Sequence, residues 1–418
     1  LTFDIDRSQL PIMDVLPSDS MLARHDGVSF YSTVTVVAES PLNPNVLYTG
    51  SDDGRVMGTQ DGGRTWLDLT DDVRDLPENT YVSRIVASNA EEGRVYATFD
   101  GHYSGDFAPY VYVSDNYGDR WRSITDGLPQ TSVNVLTEHP DEGNLLFLGN
   151  EVGVFVSLDG GDRWDPLMNG LPTVPVDDIR VHPGFDDLLI GTHGRGLWVL
   201  DDIAPLEQLA GGSVSAETPY LFRGGQAVQW RRRNIQEWTA SAEFRLPNPP
   251  VGARIRYWIP DGFDVGGEPG DEPENQSAGD LEDPGGDETA DEGPRLEIEI
   301  LTATGRPVRT LEGPATPGAH EVWWDFRIDP AYEPQENQGA GARGPTVLPS
   351  VYQIQLAVGR TTMFGDLTVR QDPRIDVSRA DLNARQLAMM SLYELQAPVY
   401  HASRAVERID LQLSDVEQ

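Results

Sequence analysis

The stretch VSLDGGDRW, residues 156–164, has two related copies earlier in the chain. GTQDGGRTW ends at Trp66 and VSDNYGDRW ends at Trp121, so the three tryptophans are spaced by 55 and then 43 residues. Each copy follows two runs in which apolar and polar residues alternate, the pattern of β-strands joined by tight turns. A repeat of about 40 to 50 residues with four strands is typical of a β-propeller blade.

A fourth unit lacks this nine-residue motif, which we call the box. The unit begins at Val176 with VDDIRVHP, continues to Leu200 and then runs directly into DDIAPLEQL. The sequence therefore predicts an all-β fold with about four propeller blades within residues 1–210. A β-sandwich with accidental similarity is the alternative, and three aligned boxes argue against it.

The residue types in the box favour a structural role over a catalytic one. Asp, Asn, Ser and Thr side chains accept hydrogen bonds from backbone N–H groups in turns, glycine adopts a positive φ, and tryptophan supplies a large apolar ring. The acidic residues do not alternate over 12 positions as in an EF-hand, so we expect no calcium there. The structural box residues are Thr59, Asp61, Gly63, Trp66, Ser114, Asn116, Gly118, Trp121, Ser157, Asp159, Gly161 and Trp164.

The box resembles the Asp-box, or BNR repeat, and the chain is similar to bacterial sortilin-like BNR-repeat β-propeller proteins. The stretch GTHGRGLWVLDDIAPLEQL, residues 191–209, carries the narrower resemblance. The resemblance implies that the box joins the third and fourth strands of a blade, on the face away from the binding face. Because members of that family are longer, we expect this chain to be the C-terminal portion of a larger protein with an incomplete propeller. Remaining blades, or another protein chain, would then cover the open edge.

The turns between the second and third strands of each blade are expected on the face opposite the box. They mix carboxylates, histidine and arginine, which makes a polar surface suited to a glycan or peptide ligand. The alternative is that they are ordinary polar hairpin turns. The candidate ligand-binding residues are Asp52, Asp53, Asp100, His102, Glu151, His193 and Arg195.

Residues 211–375 predict a second β domain. GRPVRTLEG at 305–313 and SVYQIQLAVG at 350–359 resemble the Ig-like domain of the flagellar hook-capping protein, which implies a β-sandwich. An insertion at 261–294 contains 13 acidic residues and no basic residue. Its composition predicts a solvated loop, and calcium is the alternative because carboxylates bind hard cations. We expect no other cofactor and no other metal site.

The end of the chain, residues 376–418, predicts a helical segment. Ser378 and Asp381 form a helix start signal. We expect the apolar stripe of this helix to pack on the same protein, and Pro398 to kink the helix or break it in two. Steps of four and three, the a/d pattern of a coiled coil, relate Ala388, Leu392, Leu395, Val399, Ala402, Val406, Ile409 and Leu413.

The charge of the 418-residue chain is strongly negative. There are 68 acidic residues and 31 basic ones, all arginine, for a formal net charge of −37. Nucleic acid and anionic membrane surfaces are therefore excluded as partners. Salt screens such self-repulsion, so the charge predicts a halophilic protein, with a GC-rich genome plus one acidic loop as the alternative. Cysteine is absent, which excludes disulfides, and no apolar run predicts membrane insertion.

Three functions fit these observations. The first is a secreted, periplasmic or cell-surface propeller that binds protein or glycan, or takes part in assembly. The second is a carbohydrate-active glycoside hydrolase acting at the propeller rim, and the third is a structural subunit of an extracellular assembly. Arg84 and Arg180 lie on first strands of blades, but no third arginine and no Tyr–Glu pair complete a sialidase site. The sequence therefore supports no catalytic activity and assigns no catalytic residue.

Overall fold

A computed structural model describes residues 1–5, 31–168, 170–182, 184–215, 217–231, 250–265, 294–332 and 343–416. The chain forms two compact units, 1–213 and 214–418. The predicted all-β class with a C-terminal helix is confirmed. Most of the acidic insertion, 266–293, lies outside the described residues, so calcium binding there stays a prediction.

The first unit contains four antiparallel sheets in which each strand pairs with the next along the chain. β-branched and aromatic residues dominate these strands because they pack well on a pleated surface. Blade 1 comprises β1 (Val34–Glu39), β2 (Leu47–Ser51), β3 (Val56–Thr59) and β4 (Leu67–Asp68). Blade 2 comprises β5 (Tyr81–Ala87), β6 (Val95–Asp100), β7 (Tyr110–Ser114) and β8 (Arg122–Ser123). Blade 3 comprises β9 (Val133–Glu138), β10 (Leu146–Asn150), β11 (Gly153–Ser157) and β12 (Asp165–Pro166).

Blade 4 lacks the box, as the sequence predicts, and the structure gives it three strands. It comprises β13 (Val176–Val181), β14 (Leu188–Thr192) and β15 (Leu197–Leu200), and the helix α1 (Ala204–Ala210) follows. The sheets stack as propeller blades, because β1 lies beside β5, β5 beside β9 and β9 beside β13. One apolar core fills the space between each pair of successive blades.

The box turns hold the blades together. In blade 3, the Ser157 hydroxyl accepts the Gly161 N–H at 2.8 Å, and the Trp164 indole N–H donates to the Ile124 carbonyl of blade 2 at 2.8 Å. Trp164 is buried in the core between these two blades. Gly127, with φ +87°, lies so close to this tryptophan that a Cβ on it would be 2.2 Å from the Trp164 carbonyl oxygen. The packing therefore requires glycine at this turn.

The second unit is a two-sheet β-sandwich around one apolar core. One sheet has the order β16-β18-β21 and the other β17-β23-β22-β19-β20, with β17 parallel to β23. Alternation of buried and exposed side chains along β18 and β22 places one face of each strand in the core. The strands are β16 (Tyr220–Leu221), β17 (Gln226–Gln229), β18 (Ala253–Ile259), β19 (Arg295–Thr302), β20 (Pro307–Pro314), β21 (Gly318–Trp324), β22 (Val351–Val358) and β23 (Thr361–Gln371).

The C-terminal helix α2 (Arg379–Val416) corrects two expectations. It is continuous through Pro398, so the predicted break is wrong. Proline removes one intrahelical hydrogen bond, but Tyr393 and Tyr400 hold the helix to the second unit on both sides of it. The apolar stripe does not pack on the same unit either, because Leu392, Leu395, Val399, Val406 and Ile409 are all exposed.

Candidate functional site

The two faces of the propeller are distinguished by the turns they carry. The Gly62 N–H donates to the Asn45 carbonyl at 2.9 Å, and the Gly160 N–H donates to the Asn144 carbonyl at 2.9 Å. These bonds join each box to the turn between the first and second strands of the same blade, so both turns lie on one face, the box face. The turns after β2, β6, β10 and β14 lie at the other ends of the strands, and we call that face the rim.

Blades 1 and 2 place five side chains together on the rim. We call Asp52, Tyr81, Asp100, His102 and Tyr103 the rim cluster. The His102 and Tyr103 rings are 3.9 Å apart, and the Tyr81 and Tyr103 rings are 6.3 Å apart. Asp100 binds His102 twice, accepting its backbone N–H at 2.9 Å and contacting Nδ1 at 2.5 Å. Burial, and then the nearby Tyr103, Asp52 and Asp100, raise the pKa of the Tyr81 hydroxyl.

The loop between β6 and β7, residues 101–109, is the longest of the four rim turns. A short 3₁₀ turn, His102–Ser104, begins it. Asp106 then accepts the Tyr110 hydroxyl at 2.6 Å and the Ala108 N–H at 3.0 Å, which fixes the second half of the loop. Tyr103 and Phe107 are 53% and 56% exposed on it. The loop therefore presents two aromatic rings on a hydrogen-bonded framework.

The other candidate residues lie apart from this cluster. Asp53 is buried and accepts the Phe3 N–H at 2.7 Å, so it serves residues 1–5 and offers nothing to solvent. Glu151 accepts from the Asn134 side chain at 2.9 Å. His193 lies 3.4 Å from Asp177. Arg195 is exposed, and its carbonyl accepts the Trp198 indole N–H at 3.2 Å.

Two arginines converge on one carboxylate of the first strands. Arg84 of β5 donates to Asp178 of β13 at 2.8 Å, and Arg180 donates to the other oxygen of Asp178 at 3.2 Å. Blade 3 lies between blades 2 and 4, so the Arg84–Asp178 bond crosses two blade interfaces. Because both guanidinium groups are already bonded to the Asp178 carboxylate, they do not form the free arginine cluster that a sialidase uses to bind a carboxylate.

The box carboxylates are engaged in their own turns. Asp61 accepts the Thr65 hydroxyl at 2.6 Å and the Arg64 and Thr65 N–H groups at 2.9 Å each. These hydrogen bonds, that of the Thr65 hydroxyl first, lower the pKa of Asp61 to about 2. Asp159 accepts the Arg163 N–H in the same way at 2.9 Å. A carboxylate held ionised by turn hydrogen bonds is suited to structure and not to proton transfer.

Sequence reasoning missed the aromatic residues of the rim. It placed Asp52, Asp100 and His102 on the correct turns but did not name Tyr81, Tyr103 or Phe107. The available signal was the length of the β6–β7 connection, since the extra residues carry both exposed rings.

Neither a metal centre nor a membrane segment is found in the described parts of the chain. No group of three or more histidine, aspartate or glutamate side chains among the described residues is arranged to hold a metal ion. None of the described helices is both long enough and apolar enough to cross a membrane.

Comparison with solved structures gives distant likenesses, with TM-scores from 0.29 to 0.34 for three structures. No family model matches the sequence, and no curated protein matches it. A GH74 enzyme from Niastella koreensis is 14% identical over 41% of this chain and 29% of that chain, with a TM-score of 0.34. YCF48 from Cyanidioschyzon merolae is 15% identical over 41% of this chain and 53% of that chain, with a TM-score of 0.29.

An ancestral GH74 enzyme matches 81% of this chain and 41% of its own length, at 12% identity and a TM-score of 0.33. The chain thus spans about half or less of each of these three structures. Likeness at this level carries no argument, so the fold rests on the strand pairing and the blade contacts, and function has to be argued from the site.

Proposed function

We propose that this chain is a non-catalytic, glycan-binding β-propeller protein whose binding surface is the rim cluster and the β6–β7 loop. The observation that carries the proposal is the pair of exposed rings, Tyr103 and Phe107, beside the carboxylates of that rim. Exposed apolar patches rimmed by polar groups mark binding sites on soluble proteins, and here both rings are presented by one nine-residue loop that carries polar side chains. A secreted, periplasmic or cell-surface location, where free glycans occur, is part of the proposal.

The chemistry of the rim suits a neutral sugar. A pyranose ring has an apolar C–H face that packs on an aromatic ring, and its hydroxyl groups donate hydrogen bonds. Ionised carboxylates only accept, at about four lone-pair positions each. Asp100 is buried and holds His102, so it serves the loop. Asp106 is half-buried and uses two of its positions to hold Tyr110 and Ala108, which leaves its others as acceptors for sugar hydroxyls.

A glycan is favoured over a peptide on grounds of charge. The net charge of −37 repels acidic ligands. A basic peptide needs several accessible carboxylates, but Asp100 is buried and Asp106 is half-buried, with two of its acceptor positions used by the loop. The surface therefore offers aromatic area and hydrogen-bond acceptors more than unpaired charge.

The test is calorimetric titration of the full chain with neutral cello-, xylo-, manno- and malto-oligosaccharides. We expect one class to bind, and Tyr103→Ala and Phe107→Ala each to weaken it about tenfold. An aromatic contact is worth about 0.5–1.5 kcal/mol beyond its buried area, and about 1.4 kcal/mol is tenfold in affinity. Phe185→Ala is the matched control, because Phe185 is 71% exposed in the β13–β14 turn on the box face.

Two results would contradict the proposal. One is that none of the four oligosaccharide classes binds, or that binding is equal in Tyr103→Ala and in the original chain. The other is that a hexa-arginine peptide binds more tightly than every sugar and is weakened by both ring variants, which would indicate a peptide-binding rim.

Hydrolysis is not part of the proposal. A glycosidase needs a general acid whose pKa is raised, with a second carboxyl group about 5–10 Å away. Burial raises the pKa of two described carboxyl groups, Glu138 and Glu207. Glu138 ends β9 at the box face, and Glu207 lies on α1 beside the buried His139. Release of reducing sugar from a bound oligosaccharide would overturn this part of the proposal.

A role in assembly is favoured by a separate observation on blade 4. Three apolar side chains of this blade are exposed, although the residues at the equivalent positions of the strand ladder in blade 3 are buried. They are Leu189, Leu197 and Val199. We propose that another blade, supplied by further polypeptide, covers this face. In the Leu197→Cys variant, the new thiol should then be protected from labelling reagents in the cell that makes the protein and should react in the purified chain. The thiol of the Phe185→Cys variant should react in both settings. Equal labelling of the Leu197→Cys variant in both settings would contradict the proposal.

A further inference from the structure

The helix α2 presents two different faces. Leu382 is buried, the Tyr393 hydroxyl donates to the Asp329 carbonyl at 3.0 Å, and Tyr400 stacks on Tyr332 with ring centres 4.0 Å apart and planes 9° apart. Between residues 382 and 403, the less exposed ones are 382, 386, 389, 390, 393, 396, 397 and 400, which share one side of the helix. This face of α2 is occupied by its own β-sandwich.

The other face is an uncovered coiled-coil stripe. Leu392, Val399 and Val406 take the a positions, and Ala388, Leu395, Ala402 and Ile409 take the d positions, over three heptads. The five large side chains of this set are 56% to 66% exposed. At 100° per residue, the stripe is centred roughly 150° around the helix from the packed face. The helix can therefore bind a second helix without leaving its sandwich.

The flanks of the stripe indicate which helix fits. Charged residues at e and g select a partner of opposite charge and so set partner choice. Here the e and g positions from 389 to 410 are uncharged except for Asp410. These positions hold Met389, Ser391, Gln396, Pro398, Ser403, Ala405 and Asp410, of which Met389 and Gln396 also border the face packed on the sandwich. Such flanks do not oppose an identical helix.

The charge of the whole helix leads to the same partner. Residues 379–416 carry four arginines and five acids, whereas the chain carries 31 basic and 68 acidic residues. Because the chain is strongly acidic, most of its surface repels a second copy of the same chain. The helix is near-neutral, so self-association through it is opposed less than through a surface of the chain's average charge.

We propose that α2 is a homodimerisation helix, which pairs through its stripe with the α2 helix of a second copy of this chain. The pairing buries the exposed a and d side chains of both copies and leaves both sandwich contacts intact. Because salt screens repulsion between the acidic copies, the dimer is expected to tighten as the salt concentration rises.

The test is sedimentation equilibrium of the full chain at 0.2 M and 2 M NaCl, from about 1 to 100 µM. The expected mass is about 92 kDa, twice the 46.0 kDa of one chain. The double variant Leu395→Glu with Val399→Glu is expected to raise the dimer Kd by at least a hundredfold. Both residues are exposed in the single chain, so its helix content and melting temperature at low protein concentration should not change.

The matched control is Leu387→Glu. Leu387 is 72% exposed on α2 but takes a c position outside the stripe, so the dimer should persist. A 46.0 kDa species at every concentration and salt overturns the proposal. So does a dimer that survives the double variant, or one that Leu387→Glu dissociates equally well. Loss of the dimer in Leu197→Asp, with the α2 double variant unaffected, assigns the contact to blade 4 and likewise overturns it.

Discussion

Blades 3 and 4 share one strand register but differ in what covers them. Val154 and Phe147 of blade 3 are both 0% exposed, because blade 4 packs on them. The residues in the same ladder positions of blade 4, Leu197 and Leu189, are 84% and 37% exposed. Blade 4 therefore has the apolar residues of a blade interface, but no described residue covers them. The same substitution made at equivalent positions of blades 3 and 4 measures how much a covering blade adds to the free energy of unfolding.

The largest difference is expected when a charge is introduced. Val154→Asp puts a carboxylate into a closed apolar core without a partner, and the effective penalty is several kcal/mol. We expect this variant to lose its cooperative melting transition. Leu197→Asp puts the same group in water and should change the free energy of unfolding by no more than about 0.5 kcal/mol. Circular dichroism melts compare the two, and similar losses in both would show that the blade 4 face is covered in the isolated chain.

Removing apolar volume should give the next largest difference. Phe147→Ala leaves a cavity in the core between blades 3 and 4 and should cost about 3–5 kcal/mol. Leu189→Ala removes side-chain atoms that are partly in water, and it should cost about 1 kcal/mol or less. Denaturant unfolding measures both. A loss above 3 kcal/mol for Leu189→Ala would refute the comparison.

The glycines that follow blades 2 and 3 give a smaller contrast of the same kind. Gly127 and Gly170 both have positive φ, +87° and +77°, so alanine at either site costs about 1–2 kcal/mol of backbone strain. A Cβ at Gly127 also meets the Trp164 carbonyl at 2.2 Å, whereas one at Gly170 meets nothing within 4 Å. Gly127→Ala should therefore lose about 1–3 kcal/mol more than Gly170→Ala. Equal losses of the free energy of unfolding in urea would mean that the turn carrying Gly127 can move away from the Trp164 carbonyl without cost.

These comparisons also show why the fold could be predicted and much of the site could not. The box recurs at blade spacing, so one alignment located three blades, their faces and the blade that lacks a box. Tyr103 and Phe107 lie in a loop that is longer than its counterparts, so the repeat carried no information about them. The burial of Asp53 depends on Phe3, which lies 50 positions away in the sequence. Only the folded chain brings those two residues together.

The helix α2 shows a second limit of sequence reasoning. Its 3.5-residue periodicity was enough to predict a helix with an apolar stripe. Which face packs on the sandwich depends on Tyr393 and Tyr400, whose partners Asp329 and Tyr332 lie more than 60 positions earlier. The periodic face was the obvious candidate for packing, and the tyrosines on another face made the contact instead.

The smallest expected effect concerns an ionisable group between the blades. The first strand of blade 3 ends at the buried Glu138, whereas the first strand of blade 4 ends at Val181. Glu138 accepts the Ser88 hydroxyl at 2.7 Å and the Asn89 N–H of blade 2, and burial raises its pKa. The folded chain therefore binds this proton more tightly than the unfolded chain. The resulting gain in the free energy of unfolding is complete below the pKa that Glu138 has in the unfolded chain. This gain is lost as the pH rises through the pKa of the folded chain, and it amounts to about 1.4 kcal/mol for each unit by which the two pKa values differ.

Glu138→Gln keeps an oxygen acceptor for Ser88 and Asn89 but removes the titration. The free energy of unfolding of the original chain minus that of the variant should be greatest near pH 4 and fall as the pH rises. Urea unfolding from pH 4 to 8 measures this difference. Glu39→Gln is the matched control, because Glu39 takes the same position in blade 1 and is exposed. A pH-independent difference for Glu138→Gln would show that the pKa of Glu138 is the same in the folded and unfolded chain, and a difference that rises with pH would show that the donors of blade 2 hold the carboxyl group ionised.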